Sequence, residues 1–144
     1  MNILISNDDG INAEGIKIIA EEISKIANTY VVAPDSPRSA SGHAITLHKP
    51  ILINDEFIAE NVESYSTSGT PADCVKVGIE SILRDIEIDL VLSGINNGPN
   101  LGTDVIYSGT VAAAIEGLIE GKPSIALSCD SSRVTTEEYR EAAQ

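Results

Sequence analysis

A chain of 144 residues with 9 Lys and Arg against 22 Asp and Glu carries a formal net charge of −13. That length fits one domain with a real core, and an apolar share of 42% excludes a disordered chain. The negative field repels phosphate backbones and so argues against a nucleic-acid partner; an anionic substrate would need a cation to hold it, while for most of these acids surface solvation is account enough.

Aromatic residues make up only 3% and there is no Trp, so the core is built from Ile, Val, Leu and Ala. Such a core suits an α/β sheet buried on both faces. The first element is a short apolar strand, Asn2–Ser6, with Ile3, Leu4 and Ile5. Helical spacing follows over residues 13–27, where Ile16, Ile19, Ala20, Ile23 and Ala27 share one face and Lys17, Glu21, Glu22 and Lys25 lie mostly opposite. A second strand, "TYVVA" at 29–33, is expected to stop at Pro34. Residues 34–49 are polar and without period, and a loop of that length in a compact domain is usually functional or mobile. Residues 51–53 and 62–66 read as a peripheral hairpin.

"TPADCVKVGIESIL" has a strong helix start: Thr70 as N-cap, Pro71 in the first helical position and Asp73 completing a capping box. Val75, Ile79, Ile82 and Leu83 form its expected buried stripe. "DLVLSGIN" from Asp89 is another buried strand. "SGTVAAAIEGLIEG" is a helix expected to bury Val111, Ile115, Leu118 and Ile119 and to stop at Gly121 before Pro123. "SIALS" is the last strand. "TTEEYREAAQ" opens a helix with a capping box, Thr135 to Glu138, and ends without a C-cap, as if cut partway through an element. The order implies a parallel, doubly wound sheet covered by helices, with a core over 1–130 and the start of a truncated C-terminal element over 131–144.

Cys74 and Cys129 lack metal-ligand spacing and sit in apolar contexts. Two buried free thiols and a reducing, cytoplasmic setting are expected. No basic start leads into an apolar run, and no stretch is long enough to span a membrane.

Asp8 and Asp9 follow the first strand directly, and adjacent carboxylates repel and are costly to bury unless paired or bound to metal. In a parallel sheet all strand C-termini share one edge, and ligands bind there where strand order reverses. "PDSPRSASGH" and "SGINNGPN" follow two other strands, so three polar loops should meet. Two carboxylates, a serine hydroxyl and an asparagine carbonyl are hard oxygen donors that suit Mg²⁺ or Mn²⁺ and not zinc. The alternative is that Asp8 or Asp9 caps the following helix. Ser108, Gly109 and Thr110 open the helix of "YSGTVAAAIEG", where free N–H groups and the dipole favour an anion; an ordinary N-cap is the alternative. A metal beside an anion pocket suggests phosphoester hydrolysis, with Asp8 or Asp9 as base.

"SNDDG", "VAPD…RSASGHAITL", "STSGTPADCV", "SGINNGPNLGTDVIYSGTVAAAIEG" and "PSIALS" together resemble the SurE family of stationary-phase survival proteins over roughly the first 130 residues. The resemblance implies a three-layer Rossmann-like core. It further implies a metal-dependent 5′-nucleotidase, a phosphoric monoester hydrolase acting on nucleoside 5′- and 3′-monophosphates and, in some members, on short polyphosphate. It implies one divalent ion, Mg²⁺ or Mn²⁺, on Asp8, Asp9, Ser39 and Asn96. The bare chemistry leaves Ser36, Ser39 and Ser41 equivalent. Ser108, Gly109 and Thr110 fall on the family's phosphate-binding turn, and the catalytic set is Asp8, Asp9, Asn96 and Ser108. Family members run on beyond this length into a C-terminal part that builds homodimers or tetramers, and the chain here departs from the family's basic residue after "APD" with Ser36 and Pro37.

His43 could protonate a leaving group or merely order its loop. Arg38 could meet a phosphate or form a surface ion pair. Asn97, Asn100 and Asp104 suit tight turns, with Asp104 open to a supporting role, and Tyr107 could stack on a base. Two other functions compete: a nucleotide- and metal-binding fragment without turnover, and a receiver-like signalling domain. A receiver needs an Asp ending the third strand and a Lys ending the fifth, where this chain has "SGINNG" and "SCDSS".

Overall fold

The structure, a computed structural model, describes residues 1–131 and 134–144. In chain order it contains β1 (Asn2–Ser6), α1 (Glu14–Ile23), β2 (Asn28–Pro34), β3 (Ile53–Glu56), β4 (Val62–Thr67), α2 (Pro71–Val77), β5 (Leu90–Asn96), α3 (Asp104–Tyr107), α4 (Gly109–Ile119), β6 (Ser124–Ser128) and α5 (Thr136–Ala142).

Side-chain alternation along β1 lets one short run serve two layers. Ile3 and Ile5 enter a cluster with Ile16, Ile19 and Ala20 of α1, Val31 and Ala33 of β2, and Leu92 of β5. Leu4, between them, enters the opposite cluster with Val32, Cys74, Val75, Val91 and Ala113. Helices therefore cover both faces, α1 on one side and α2 with α4 on the other, which is the expected three-layer α/β class.

The strand order is β3-β4-β2-β1-β5-β6. Every pairing is parallel except β3 with β4. From β1 the chain winds outward through β2, then crosses to β5 on the other side of β1. The switch point thus falls between the C-terminal ends of β1 and β5, where Asp8, Asp9 and Asn96 follow or end a strand. Thr70 and Asp73 form the predicted capping box of α2, and Thr135 and Glu138 that of α5.

Several expectations change. The expected peripheral hairpin is present as β3 and β4, antiparallel at the sheet edge, but β4 is also an integral member of the sheet, pairing in parallel with β2 over six residues. Pro34 belongs to β2, where it pairs with Thr67 of β4, and a strand end does not need its missing donor. The first helix ends at Ile23 and not at residue 27. The helix after Thr70 widens into a π-helical turn at Gly78–Ile82. The largest change concerns α4. Ile115, Leu118 and Ile119 are exposed and Val111 is half-buried, while the helix buries Gly109, Thr110, Ala112, Ala113, Ala114, Glu116 and Gly117.

Cys74 is buried and free, and burial pushes its thiol up to about 12; Cys129 is free but only partly buried. Among the described residues, no helix is long and apolar enough to cross a membrane.

Candidate functional site

The turn after β1 is closed from within. The buried Asn7 amide donates to the Gly10 carbonyl at 3.0 Å and accepts from the Gly10 N–H at 3.1 Å, and Gly10 takes φ +94°. A left-handed residue reverses the chain here, and glycine adopts it without steric cost. Asp8 and Asp9 sit on this ring. α1 has no side-chain cap, so neither carboxylate caps it.

The polar loops do meet. Asp8, Asp9, Ser39, Asn96 and Ser108 line one cavity of about 330 Å³. Of the three serines that chemistry left equivalent, Ser39 is the one lining it. The loop is held there by the Arg38 N–H, which donates to the Asp8 carbonyl at 2.7 Å.

Asp8, Asp9 and Asn96 are each oriented by a hydrogen bond that uses one atom and spares another. Thr110 Oγ1 donates to Asp8 Oδ1 at 2.5 Å. The Asn97 N–H donates to Asp9 Oδ2 at 3.1 Å. Asn96 Nδ2 donates to the Gly98 carbonyl at 2.9 Å, which fixes the amide so that its oxygen is the atom left over. Among the described residues, no hydrogen bond takes up Asp8 Oδ2, Asp9 Oδ1, Asn96 Oδ1 or Ser39 Oγ. Burial, helped by the charge of Asp8, raises the Asp9 carboxyl above its ordinary value against the Asn97 N–H, which lowers it. No three His, Cys, Asp or Glu among the described residues are grouped to hold a metal. A cation here would rest on two carboxylates and two neutral oxygens, a donor set that fits Mg²⁺ or Mn²⁺.

α4 starts against this cluster. Ser108 is its N-cap, with Oγ accepting from the Val111 N–H at 3.2 Å, and the helical ladder begins with the Ala112 N–H on the Ser108 carbonyl. The amides of Gly109 and Thr110 precede that ladder and have no intrahelical acceptor. A Cβ at Gly109 would stand 2.6 Å from Asp8 Cβ, so only glycine allows the turn this close. The Thr110 hydroxyl is committed to Asp8, which leaves its backbone amide as its donor for an anion.

The other weighed residues separate. Arg38 Nη2 reaches Asp35 at 3.1 Å and the Ser68 carbonyl at 3.2 Å, the ion-pair alternative. His43 Nε2 lies 2.6 Å from Glu116 and ties the loop to α4. Asn97, Asn100, Asp104 and Tyr107 also line the cavity, and Tyr107 is largely exposed. Sequence reasoning gave Asp73 a capping role alone and passed over Glu116. Asp73 is buried, yet Thr46 (hydroxyl and N–H) and Thr70 (N–H and hydroxyl) outweigh that burial and hold it below its ordinary value. For Glu116 the available signal was one carboxylate inside the apolar run "VAAAIEGLI".

Residues 3–144 match the family model described as Survival protein SurE. The chain belongs to the SurE family. It is 50% identical over 145 residues to the 5′-nucleotidase SurE of Alkaliphilus metalliredigens, covering 100% of this chain and 56% of that protein. It is 59% identical over 131 residues to the 5′-nucleotidase SurE of Clostridium beijerinckii, covering 90% of this chain and 51% of that one. The crystal structure of SurE from Aquifex aeolicus superposes with a TM-score of 0.85 at 42% identity, over 98% of this chain and 56% of that chain. The chain thus spans about half the length of the SurE relatives it matches. Membership in SurE displaces the receiver-like reading, whose acidic and lysine positions the strand ends of this chain do not supply.

Proposed function

We propose that residues 1–130 form the catalytic core of a metal-dependent phosphomonoesterase. It converts nucleoside 5′- and 3′-monophosphates to nucleoside and phosphate, and takes short polyphosphate as a further substrate. The observation that carries this reading is the convergence of four oxygen-bearing side chains, three of them oriented by hydrogen bonds that spare an oxygen, on one cavity beside the first turn of α4. Asp8, Asp9, Ser39 and Asn96 would hold one divalent ion, Mg²⁺ or Mn²⁺. When bound, that ion polarises the phosphoryl oxygen and makes water a better nucleophile.

The chain's own residues do the rest. The Gly109 and Thr110 amides and the Ser108 hydroxyl receive the phosphate oxygens, aided by the dipole of α4. Thr110 holds Asp8 in place, and Asn97 holds Asp9. The proton of the attacking water would pass to Asp8 or Asp9, adjacent carboxylates that both line the cavity. The relatives' printed activity, 5′-nucleotidase, supports the substrate class. A cytoplasmic setting accords with two free thiols, and a homodimer or tetramer is the assembly that accompanies this reading.

The test is phosphate release from a panel of nucleoside monophosphates, with Mg²⁺, with Mn²⁺ and with a chelator, for this chain and for Asp8→Asn. Release should require the metal and fall at least about a hundredfold in the variant. Release indifferent to chelation removes the metal from the reading. Mn²⁺ binding with no release at all favours the binding fragment.

A further inference from the structure

Residues 35–52 carry Ser39 and contain no helix or strand, so something other than a backbone ladder must set where Ser39 sits. Upstream, the Arg38 N–H is tied to Asp8. Downstream, the Gly42 N–H donates to the Tyr107 carbonyl at 3.0 Å, and His43 Nε2 meets Glu116 Oε2 at 2.6 Å. Further on, the Thr70 hydroxyl holds the Ala44 carbonyl, and Asp73 holds Thr46.

These anchors differ in firmness. Tyr107 ends a four-residue helix that buries no residue. Glu116 is 3% exposed on an eleven-residue helix packed against the sheet. A carboxylate there is costly unless paired and hydrogen-bonded. Its other cation, Lys76, lies 3.8 Å away and is drawn closer to Glu120 at 2.7 Å and Glu80 at 3.1 Å. His43 is therefore the near partner that accounts for a buried acid in an otherwise apolar run. Against a carboxylate that only accepts, the contact requires the Nε2–H tautomer of His43.

The same helix also orients Asp8 through Thr110, roughly 9 Å earlier along its axis at 1.5 Å per residue. We propose that His43 and Glu116 form a positioning clasp that references the Ser39 loop to α4, and so to Asp8, on one rigid element. The clasp is a positioning device and touches no reacting atom; its bearing on the metal rests on the function proposed above.

Amide exchange by NMR and Mn²⁺ titration calorimetry on the 144-residue chain, its His43→Ala form and its His43→Gln form test the clasp. Gln places a donor near the position of Nε2. In His43→Ala, exchange at the Gly42 and Arg38 amides should rise roughly tenfold. The Thr46 amide, held by Asp73, should stay as it was. Mn²⁺ affinity should fall about tenfold, and Gln should restore most of both losses, with thermal midpoints close together. Unchanged exchange at Gly42 and Arg38, an equal rise at Thr46, or Ala and Gln forms that behave alike would each overturn the clasp. A parent chain that fails to bind Mn²⁺ counts against the metal reading instead, and the amide rates still decide the clasp.

Discussion

α1 and α4 cover opposite faces of one sheet and bury different kinds of side chain. α1 presses Ile16, Ile18 and Ile19 into the core, as an amphipathic helix does when its task is to remove apolar area from water. α4 turns Gly, Ala, Thr and a carboxylate inward and leaves Leu118 and Ile119 at 61% and 63% exposure. A Cβ at Gly117 would stand 2.9 Å from Val91 Cβ, and one at Gly109 would stand 2.6 Å from Asp8 Cβ. Close approach is what α4 gains from small residues, and it brings the helix start to the carboxylates. One helix stabilises the sheet through bulk; the other brings its first turn up to Asp8.

That contrast can be broken by substitution. Ile16→Ala should cost about 3 kcal/mol in urea unfolding, because a buried isoleucine leaves both lost transfer energy and a cavity. The folded fraction should keep its phosphate release. Gly109→Ala should cost both activity and stability: release falls about tenfold, since Asp8 or the turn must move, and the overpacked contact with Asp8 costs about 1–3 kcal/mol in unfolding. Leu118→Ser should change the stability of this chain by no more than about 0.5 kcal/mol. If Leu118→Ser costs as much as Ile16→Ala, α4 buries its large residues after all. If Gly109→Ala releases phosphate at the parent rate, proximity at that turn has no part in the chemistry.

The difference between these helices also marks what could be read from sequence. β1 was legible because three consecutive large aliphatics that run into two acids fit a buried strand ending at a polar rim, and little else. The start of α2 was legible because Thr70, Pro71 and Asp73 act through their own backbone, with no distant partner required. The shared rim was legible from chain order alone, since parallel strands end on one edge. The buried face of α4 was not, because periodicity ranks residues by size, and small residues win only when a specific neighbour, here Val91 and Asp8, comes close. The parallel pairing of β4 with β2 was not legible for a similar reason: its partner lies some thirty residues away in sequence and leaves no local trace, whereas the hairpin of β4 with β3 is local. Ser39 stood out from Ser36 and Ser41 only through family resemblance, and the Thr110 bond to Asp8 spans 102 residues that no pattern connects.

β1 is made first yet lies inside the sheet, flanked by β2 and by β5. Asp9 and the Asn97 amide that holds it are 88 residues apart. At about 5–20 residues per second of synthesis, roughly 4 to 18 s separate their emergence from the ribosome. Throughout that interval β1 is an open margin with paired acids at its tip and no amide from the later strand to share them. The rim is therefore completed only after most of this chain has been translated, and a nascent chain halted before β5 lacks Asn96 and the first turn of α4 however well α1 and β2 have already packed.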